Sequence, residues 1–303
     1  MDIPKLRPHR LKFGMNREPL HWKTGERHND VAHRTLIMGV VNVTPDSFSD
    51  GGKFLDADRA IAHGLRLADQ GADILDIGGE STRPGAAPVS AEEEISRVIP
   101  VMKSLRQKCP ELLISIDTSK ASVGAEALDS GADILNDVTA GQGDAGMLSL
   151  AAESGAGLVL MHMQGRPQTM QKNPQYEHVI SDLRNFFSER LRASENAGVK
   201  REQIALDPGI GFGKTLEHNL QLIAGLSAFW EFGCPLLLGV SRKRWIGELT
   251  GREVEDRRAG SLAGAAACVN GGANILRVHD VIDSCDLVKI LDKVNQTKAS
   301  LSL

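Results

Sequence analysis

Aromatic residues make up only 4% of this 303-residue chain, with a single tyrosine. A core without them must be built mainly from Ile, Leu, Val and Ala. Cysteine is also scarce. Cys109, Cys234, Cys268 and Cys285 show neither C-x-x-C spacing nor clustered histidines, which argues against zinc or redox chemistry. They fit reduced thiols in a cytoplasmic protein. A basic excess is missing too: 35 Lys and Arg stand against 39 Asp and Glu, a formal net charge of −4. Nucleic acid is therefore not an expected partner. An anionic substrate would need a few placed cations or backbone N–H groups rather than a general field. No apolar run approaches the roughly 20 residues that span a bilayer, so no membrane association is expected. Met1–Arg10 is basic and Pro-containing with no apolar stretch, and no secretory signal is expected there.

What is present is ordinary globular composition, 41% hydrophobic and 24% charged, with 31 glycines. That glycine content suits a fold with many short turns, and the length would absorb one (β/α)8 barrel of about 250 residues. A short repeat carries the architecture. Gly71-Ala72-Asp73-Ile74-Leu75, Gly131-Ala132-Asp133-Ile134-Leu135 and Gly272-Ala273-Asn274-Ile275-Leu276 are near copies. Each glycine ends a helical stretch in the left-handed conformation, and a buried strand follows. Strands are predicted over Leu36–Val43, Asp73–Gly78, Leu113–Asp117, Ile134–Val138, Gly157–Met163, Ile204–Asp207, Pro235–Val240 and Ile275–His279. Helices intervene, clearest at Ala91–Lys108, Tyr176–Ala197 and Arg257–Asn270. Such alternation predicts an α/β fold with a parallel sheet: a single-domain (β/α)8 TIM barrel over residues 34–303, with an open doubly wound sheet as the competitor. Residues 1–33 read as a surface-draped or partly disordered extension.

Barrels keep their chemistry at the C-terminal strand ends. Asn42 stands there, followed by a polar loop to Gly52; Gly78 leads into another, Gly79-Glu80-Ser81-Thr82-Arg83-Pro84-Gly85. Loops of this length favour function over mere connection. Later strands end in Asp117, Asn136-Asp137, Met161-His162 and Asp207, where His162 reads as a core or rim residue. The glycines before Lys214-Thr215 are not a P-loop, because the spacing is wrong. A cationic cluster, Ser241-Arg242-Lys243-Arg244, follows, and Arg277 and His279 share a face by the two-residue period. Carboxylates and an amide thus come from one side, and cations from the last two strands, where barrels often bind phosphate. The expected ligand has a donor-rich polar head at one side and a phosphate group at the other; an aminopyrimidinone ring would offer such donors.

The stretches Asn42–Gly52, Gly78–Gly85, Asp207–Lys214 and Ser241–Lys243 together closely resemble the dihydropteroate synthase family, over roughly Leu36 to the C-terminal helix. The resemblance implies a transferase of folate biosynthesis that joins 6-hydroxymethyl-7,8-dihydropterin diphosphate to para-aminobenzoate and releases pyrophosphate, with Mg2+ as cofactor. By analogy Asp117, Asn136, Asp207 and Lys243 hold the pterin, and Met161 packs on it. Asn42 ligates magnesium, and Arg83, Arg277 and His279 hold the diphosphate. Phe48, Asp50, Thr82, Pro84, Phe212 and Lys243 shape the aminobenzoate site, where sulfonamides would compete. Asp117, Asp50 and Lys243 are the catalytic positions so implied. A homodimer is expected from the family alone. Two rivals share the pterin pocket: a methyltetrahydrofolate-dependent corrinoid methyltransferase, which needs neither Ser241–Lys243 nor the Arg277/His279 clamp, and a non-catalytic pterin-binding partner protein.

Overall fold

The computed structural model describes residues 20–44, 53–81 and 86–301, with 53–56 and 299 as backbone only. An antiparallel hairpin comes first, β1 (His21–Thr24) and β2 (Arg27–Asp30). Eight parallel strands then alternate with helices: β3 (Leu36–Asn42), β4 (Ile74–Gly78), β5 (Leu113–Asp117), β6 (Ile134–Asp137), β7 (Gly157–Met161), β8 (Ile204–Asp207), β9 (Leu237–Leu238) and β10 (Ile275–Val278). Between and after them run α1 (Lys53–Asp69), α2 (Ala91–Lys108), α3 (Ala121–Asp129), α4 (Gly146–Ser154), α5 (Val179–Asn196), α6 (Leu216–Ala224), α7 (Arg244–Thr250), α8 (Arg258–Asn270) and α9 (Val281–Ser300). The strands pair in the order β8-β7-β6-β5-β4-β3-β10-β9. A bridge from Leu206 to Leu236 joins the two edges, so the expected (β/α)8 barrel is the observed fold. The strand predicted over Pro235–Val240 shrinks to Leu237–Leu238; Gly239 supplies no side chain to pack in it.

The repeat does more than end helices. Gly71, Gly131 and Gly272 have φ of 99°, 100° and 100°, and the next residue's N–H returns to the helix it leaves, at Leu67, Ala127 and Cys268. The third residue of each copy then reaches the preceding strand. Asp73 Oδ2 accepts from Ile37 N at 2.8 Å, Asp133 Oδ2 from Ile114 N at 2.8 Å, and Asn274 Oδ1 from Leu236 N at 2.9 Å. One tripeptide therefore stops a helix, starts a strand and fixes its neighbour's register.

Residues 20–33 differ from the expected surface extension. Trp22 is fully buried with Leu36, Met38, Ile74, Leu113, Ile134, Val159, Ala205, Leu237 and Ile275, closing the N-terminal end of the barrel. Its Nε1 donates to Gln203 O at 2.8 Å, and Asn274 Nδ2 donates to Val31 O at 2.7 Å. A barrel floor lined by Ile and Leu needs an apolar cover, which this hairpin supplies. Residues 1–19 lie outside the described residues. Further up the barrel axis the same strand faces turn polar: Ile74 gives way to Asp76, Leu113 to Ser115 and Asp117, Ile134 to Asn136, Ala205 to Asp207, and Ile275 to Arg277.

Candidate active site

That change of character makes a polar cup at the C-terminal mouth. Asp117, Asn136, Met161, Asp207, Phe212, Lys243 and Arg277 line one cleft, with Val138, Ile210 and Gly239 completing its wall. Each polar residue sits at or just beyond the end of a different strand, so the barrel's closure brings together positions up to 160 residues apart, as between Arg277 and Asp117.

Arg277 crosses the mouth. Its Nε donates to Asp76 Oδ2 at 2.6 Å and its Nη2 to Asp117 Oδ2 at 2.7 Å. Burial alone would lower its pKa, but the two carboxylates outweigh that and raise it. Asp117 is pushed up to about 7, chiefly by burial, with Arg277 opposing and Asp76 adding to the rise. Lys243 is brought down to about 8 by burial and by Arg277, and its Nζ lies 4.1 Å from the centre of the Phe212 ring. Asp207 is raised by burial, although its Oδ1 accepts from Gly209 N at 2.7 Å. Gly209 has φ +68°, and a Cβ there would meet His162 O at 1.9 Å. Only glycine allows the Asp-Pro-Gly turn to press this closely on β7.

Not every cation after β9 and β10 faces the cleft. Arg242 has φ +56° and turns to Asp280, with Nη2–Oδ1 at 2.6 Å and Nε–Oδ2 at 3.1 Å. Arg244 pairs with Glu248 on the surface. Of that cluster Lys243 alone lines the pocket, since it lies at the N-cap of α7. His279 stands exposed at the rim, its N and Nδ1 at 3.3 and 3.1 Å from Ser241 Oγ. Asn42 is half-buried at the end of β3. Phe48, Asp50, Thr82, Arg83 and Pro84 lie outside the described residues.

Three groups escaped the sequence reading. Asp76 is fully buried below the cleft; a lone carboxylate inside the apolar run Ile74-Leu75-Asp76-Ile77 was its signal. Lys214 is 3% exposed and donates to Phe212 O and toward His162 Nδ1, both at 3.0 Å. Lys120 bridges Glu80 and Glu94, while Glu80 Oε1 accepts from Val89 N at 3.2 Å, tying the two ends of the β4–α2 connection together.

The family profile described as pterin binding enzyme matches residues 38–279. The dihydropteroate synthase of Escherichia coli (strain K12) is 46% identical over 269 residues, covering 89% of this chain and 94% of that one. A solved dihydropteroate synthase of Xanthomonas albilineans with 4-aminobenzoic acid superposes with a TM-score of 0.85 at 45% identity, over 91% of this chain and 98% of that one. The Yersinia pestis dihydropteroate synthase in complex with a sulfonamide drug gives a TM-score of 0.85 at 43% identity, over 91% and 99%.

Proposed function

The chain belongs to the dihydropteroate synthase family, and from that premise we propose how its own residues carry the reaction. It is a transferase that condenses 6-hydroxymethyl-7,8-dihydropterin diphosphate with para-aminobenzoate, giving 7,8-dihydropteroate and pyrophosphate. The observation that carries the residue assignment is the convergence of Asp117, Asn136, Asp207 and Lys243 on one cleft. A pterin ring presents several N–H donors along one edge, and a buried carboxylate accepts two of them well. Asp207 is the proposed partner for that edge, with Asn136 and Asp117 beside it. Met161, a buried thioether on β7, fills the apolar side against the ring.

The arylamine is a weak nucleophile, so the leaving group must depart readily. As the C–O bond to the methylene breaks, positive charge spreads into the pterin, and Asp117 in its ionised form stabilises it. Arg277 and His279, with Arg83, hold the diphosphate in this reading. Phe48, Asp50, Thr82 and Pro84 join Phe212 and Lys243 around the aminobenzoate. Lys243 over the Phe212 ring puts a cation where a carboxylate-bearing aryl ring would stack. Sulfonamides would compete at that site, as the Yersinia pestis complex suggests.

Magnesium fits the donor set in one way. No cluster of three His, Cys, Asp or Glu that could hold a metal exists among the described residues, so Asn42 would share the ion with the substrate's diphosphate and water, a common magnesium arrangement. When bound, the ion neutralises charge on the departing pyrophosphate. No helix among the described residues is long and apolar enough to cross a membrane, and a cytoplasmic location is proposed from the reduced thiols. A homodimer is the proposed assembly, supported by the exposure of Ile282, Ile290 and Val294 on α9.

Pyrophosphate release measured with both substrates tests the reading. Release that requires para-aminobenzoate and yields dihydropteroate is the expected result. Methyl transfer from methyltetrahydrofolate, or pterin binding without turnover, would overturn it in favour of one of the rivals.

A further inference from the structure

One buried group bonds two of the cleft residues, and through one of them reaches a third, without lining the cleft itself. Asp76 Oδ2 accepts from Arg277 Nε at 2.6 Å and from Asn136 Nδ2 at 3.2 Å. The side chain is fully buried, and Asp76 does not line the cleft, whereas Asp117, Asn136 and Arg277 all do. Asp76 pairs in register with Ser115, one two-residue step below Asp117 on β5. Among the described residues its Oδ1 and Ser115 Oγ have no hydrogen-bond partner.

We propose that Asp76 is a positioning residue, the fixed counter-ion that keeps Arg277 and Asn136 in place while Asp117 is handed from Arg277 to the pterin ring. This deepens the functional reading above and rests on it. Two physical arguments carry it. The guanidinium is divided between two carboxylates in the free protein, one within reach of a ligand and one beyond it. A ring N–H that takes Asp117 Oδ2 competes with Arg277 Nη2, and a buried cation left unpaired is costly. Asp76 removes that cost, because its bond to Nε persists whichever partner Asp117 has. Without it, Arg277 would fall back on Asp117 alone and hold that carboxylate against the substrate.

The second argument concerns Asn136. An amide can present either its oxygen or its nitrogen to a pocket, and only its neighbours decide which. An ionised carboxylate accepts only, so Asp76 fixes Nδ2 downward and leaves Oδ1 for the cleft. Asp76 thereby sets one acceptor of the ring-binding pattern as well as the seat of Arg277.

The charge also acts on Asp117. The groups facing Asp117 are Asp76 from β4, Glu94 from α2, Asp137 from β6, Lys243 from the loop after β9 and Arg277 from β10. Asp76 and the other two carboxylates raise its pKa, and Arg277 lowers it. Removing the Asp76 charge takes away one of the groups that raise it and leaves Arg277 to Asp117, so both changes lower the pKa of Asp117.

The test is Asp76→Asn in the full chain, read by calorimetry with the unphosphorylated pterin alcohol and by steady-state kinetics. At pH 8 the pterin alcohol is expected to bind roughly tenfold to a hundredfold more weakly, as for loss of a charge-assisted contact. The KM for para-aminobenzoate should stay within about twofold, and the acid limb of pterin binding should move to lower pH, because a like charge beside Asp117 is lost. Equal losses for both ligands with the acid limb unmoved would make Asp76 merely structural and overturn the proposal; so would unchanged pterin affinity. Should Asp76→Asn not fold, Asp76→Glu takes its place: it keeps the charge but displaces it by a methylene. Its acid limb should then stay in place while pterin affinity falls, and wild-type affinity would overturn the proposal. A wild-type protein that releases no pyrophosphate would instead sink the functional reading, so the two failures are separable.

Discussion

Lys214 Nζ lies 3.0 Å from His162 Nδ1, and both groups are buried where the loop after β8 meets the end of β7. Burial and the facing lysine hold the imidazole down at about 3, and burial brings the lysine down to about 7. The uncharged imidazole accepts from the ammonium, whose other hydrogens reach Phe212 O and His162 O. One lysine thus ties Phe212 to the strand end beside Asp207.

A pH dependence of stability follows. The unfolded chain binds a proton at His162 below about 6.5, whereas the folded chain resists until about 3. The unfolded state therefore holds more protons in that window, and stability falls as pH drops through it. The slope from this residue is at most about 1.4 kcal/mol per pH unit. Thermal melting of wild type and His162→Gln between pH 4 and 6.5 checks it. The variant should lose part of the slope, and parallel curves would contradict the assignment.

Trp22 should be the costliest side chain in the N-terminal hairpin. It is fully buried on the barrel floor and donates to Gln203 O. Trp22→Ala removes a large apolar contact and leaves that carbonyl without its donor, an expected loss of about 3–5 kcal/mol. Denaturant unfolding measures it. A loss below about 1 kcal/mol, typical of a surface site, would return the hairpin to the status of an extension.

Much of this architecture was legible in the Gly-Ala-Asp/Asn repeat, because its glycine and its capping side chain act locally and leave a fixed spacing. The polar strand ends were legible for the same reason: Asp117, Asn136 and Asp207 each terminate an apolar run. The hairpin was not, since His21–Asp30 is mostly polar and only Trp22 and Thr24 turn inward. Which way Arg242 faces was not legible, because its left-handed backbone, which turns it to Asp280, has no mark in the sequence. Asp76 and Lys214 went unseen because their roles depend on partners 201 and 52 residues away.

Asp207→Asn should weaken the pterin selectively. The change keeps the shape but replaces an acceptor-only carboxylate with an amide that can present a donor. Loss of a charge-assisted contact is typically about 1.5–3 kcal/mol, or roughly tenfold to a hundredfold in affinity by calorimetry. Unchanged pterin affinity would remove Asp207 from the ring site.

Magnesium should act on the diphosphate and not on the ring. Chelation is expected to abolish turnover while leaving the affinity for the pterin alcohol nearly intact. Asn42, half-buried at the end of β3, offers one neutral oxygen, too little to hold the ion strongly without the substrate's phosphates. Tight magnesium binding to the free protein by calorimetry would contradict this picture.

Arg277→Ala should move the acid limb of pterin binding upward. Asp117 titrates near 7 in the free protein, held there by burial and the Asp76 charge on one side and by Arg277 on the other. Taking away the guanidinium removes the main group that lowers it, so the carboxyl becomes harder to ionise and its pKa rises. Binding that needs the carboxylate is then weak at pH 7 and recovers as pH rises past the new value. The direction is opposite to that expected for Asp76→Asn, which makes the two variants mutual controls. The diphosphate adds a second readout: if Arg277 also clamps it, affinity for the pterin diphosphate falls further than affinity for the alcohol at every pH. Calorimetric titrations of both ligands from pH 6 to 9 separate the effects. Equal losses for the two ligands would restrict Arg277 to the ring pocket, and an acid limb that stays in place would mean that Asp117 does not titrate in pterin binding.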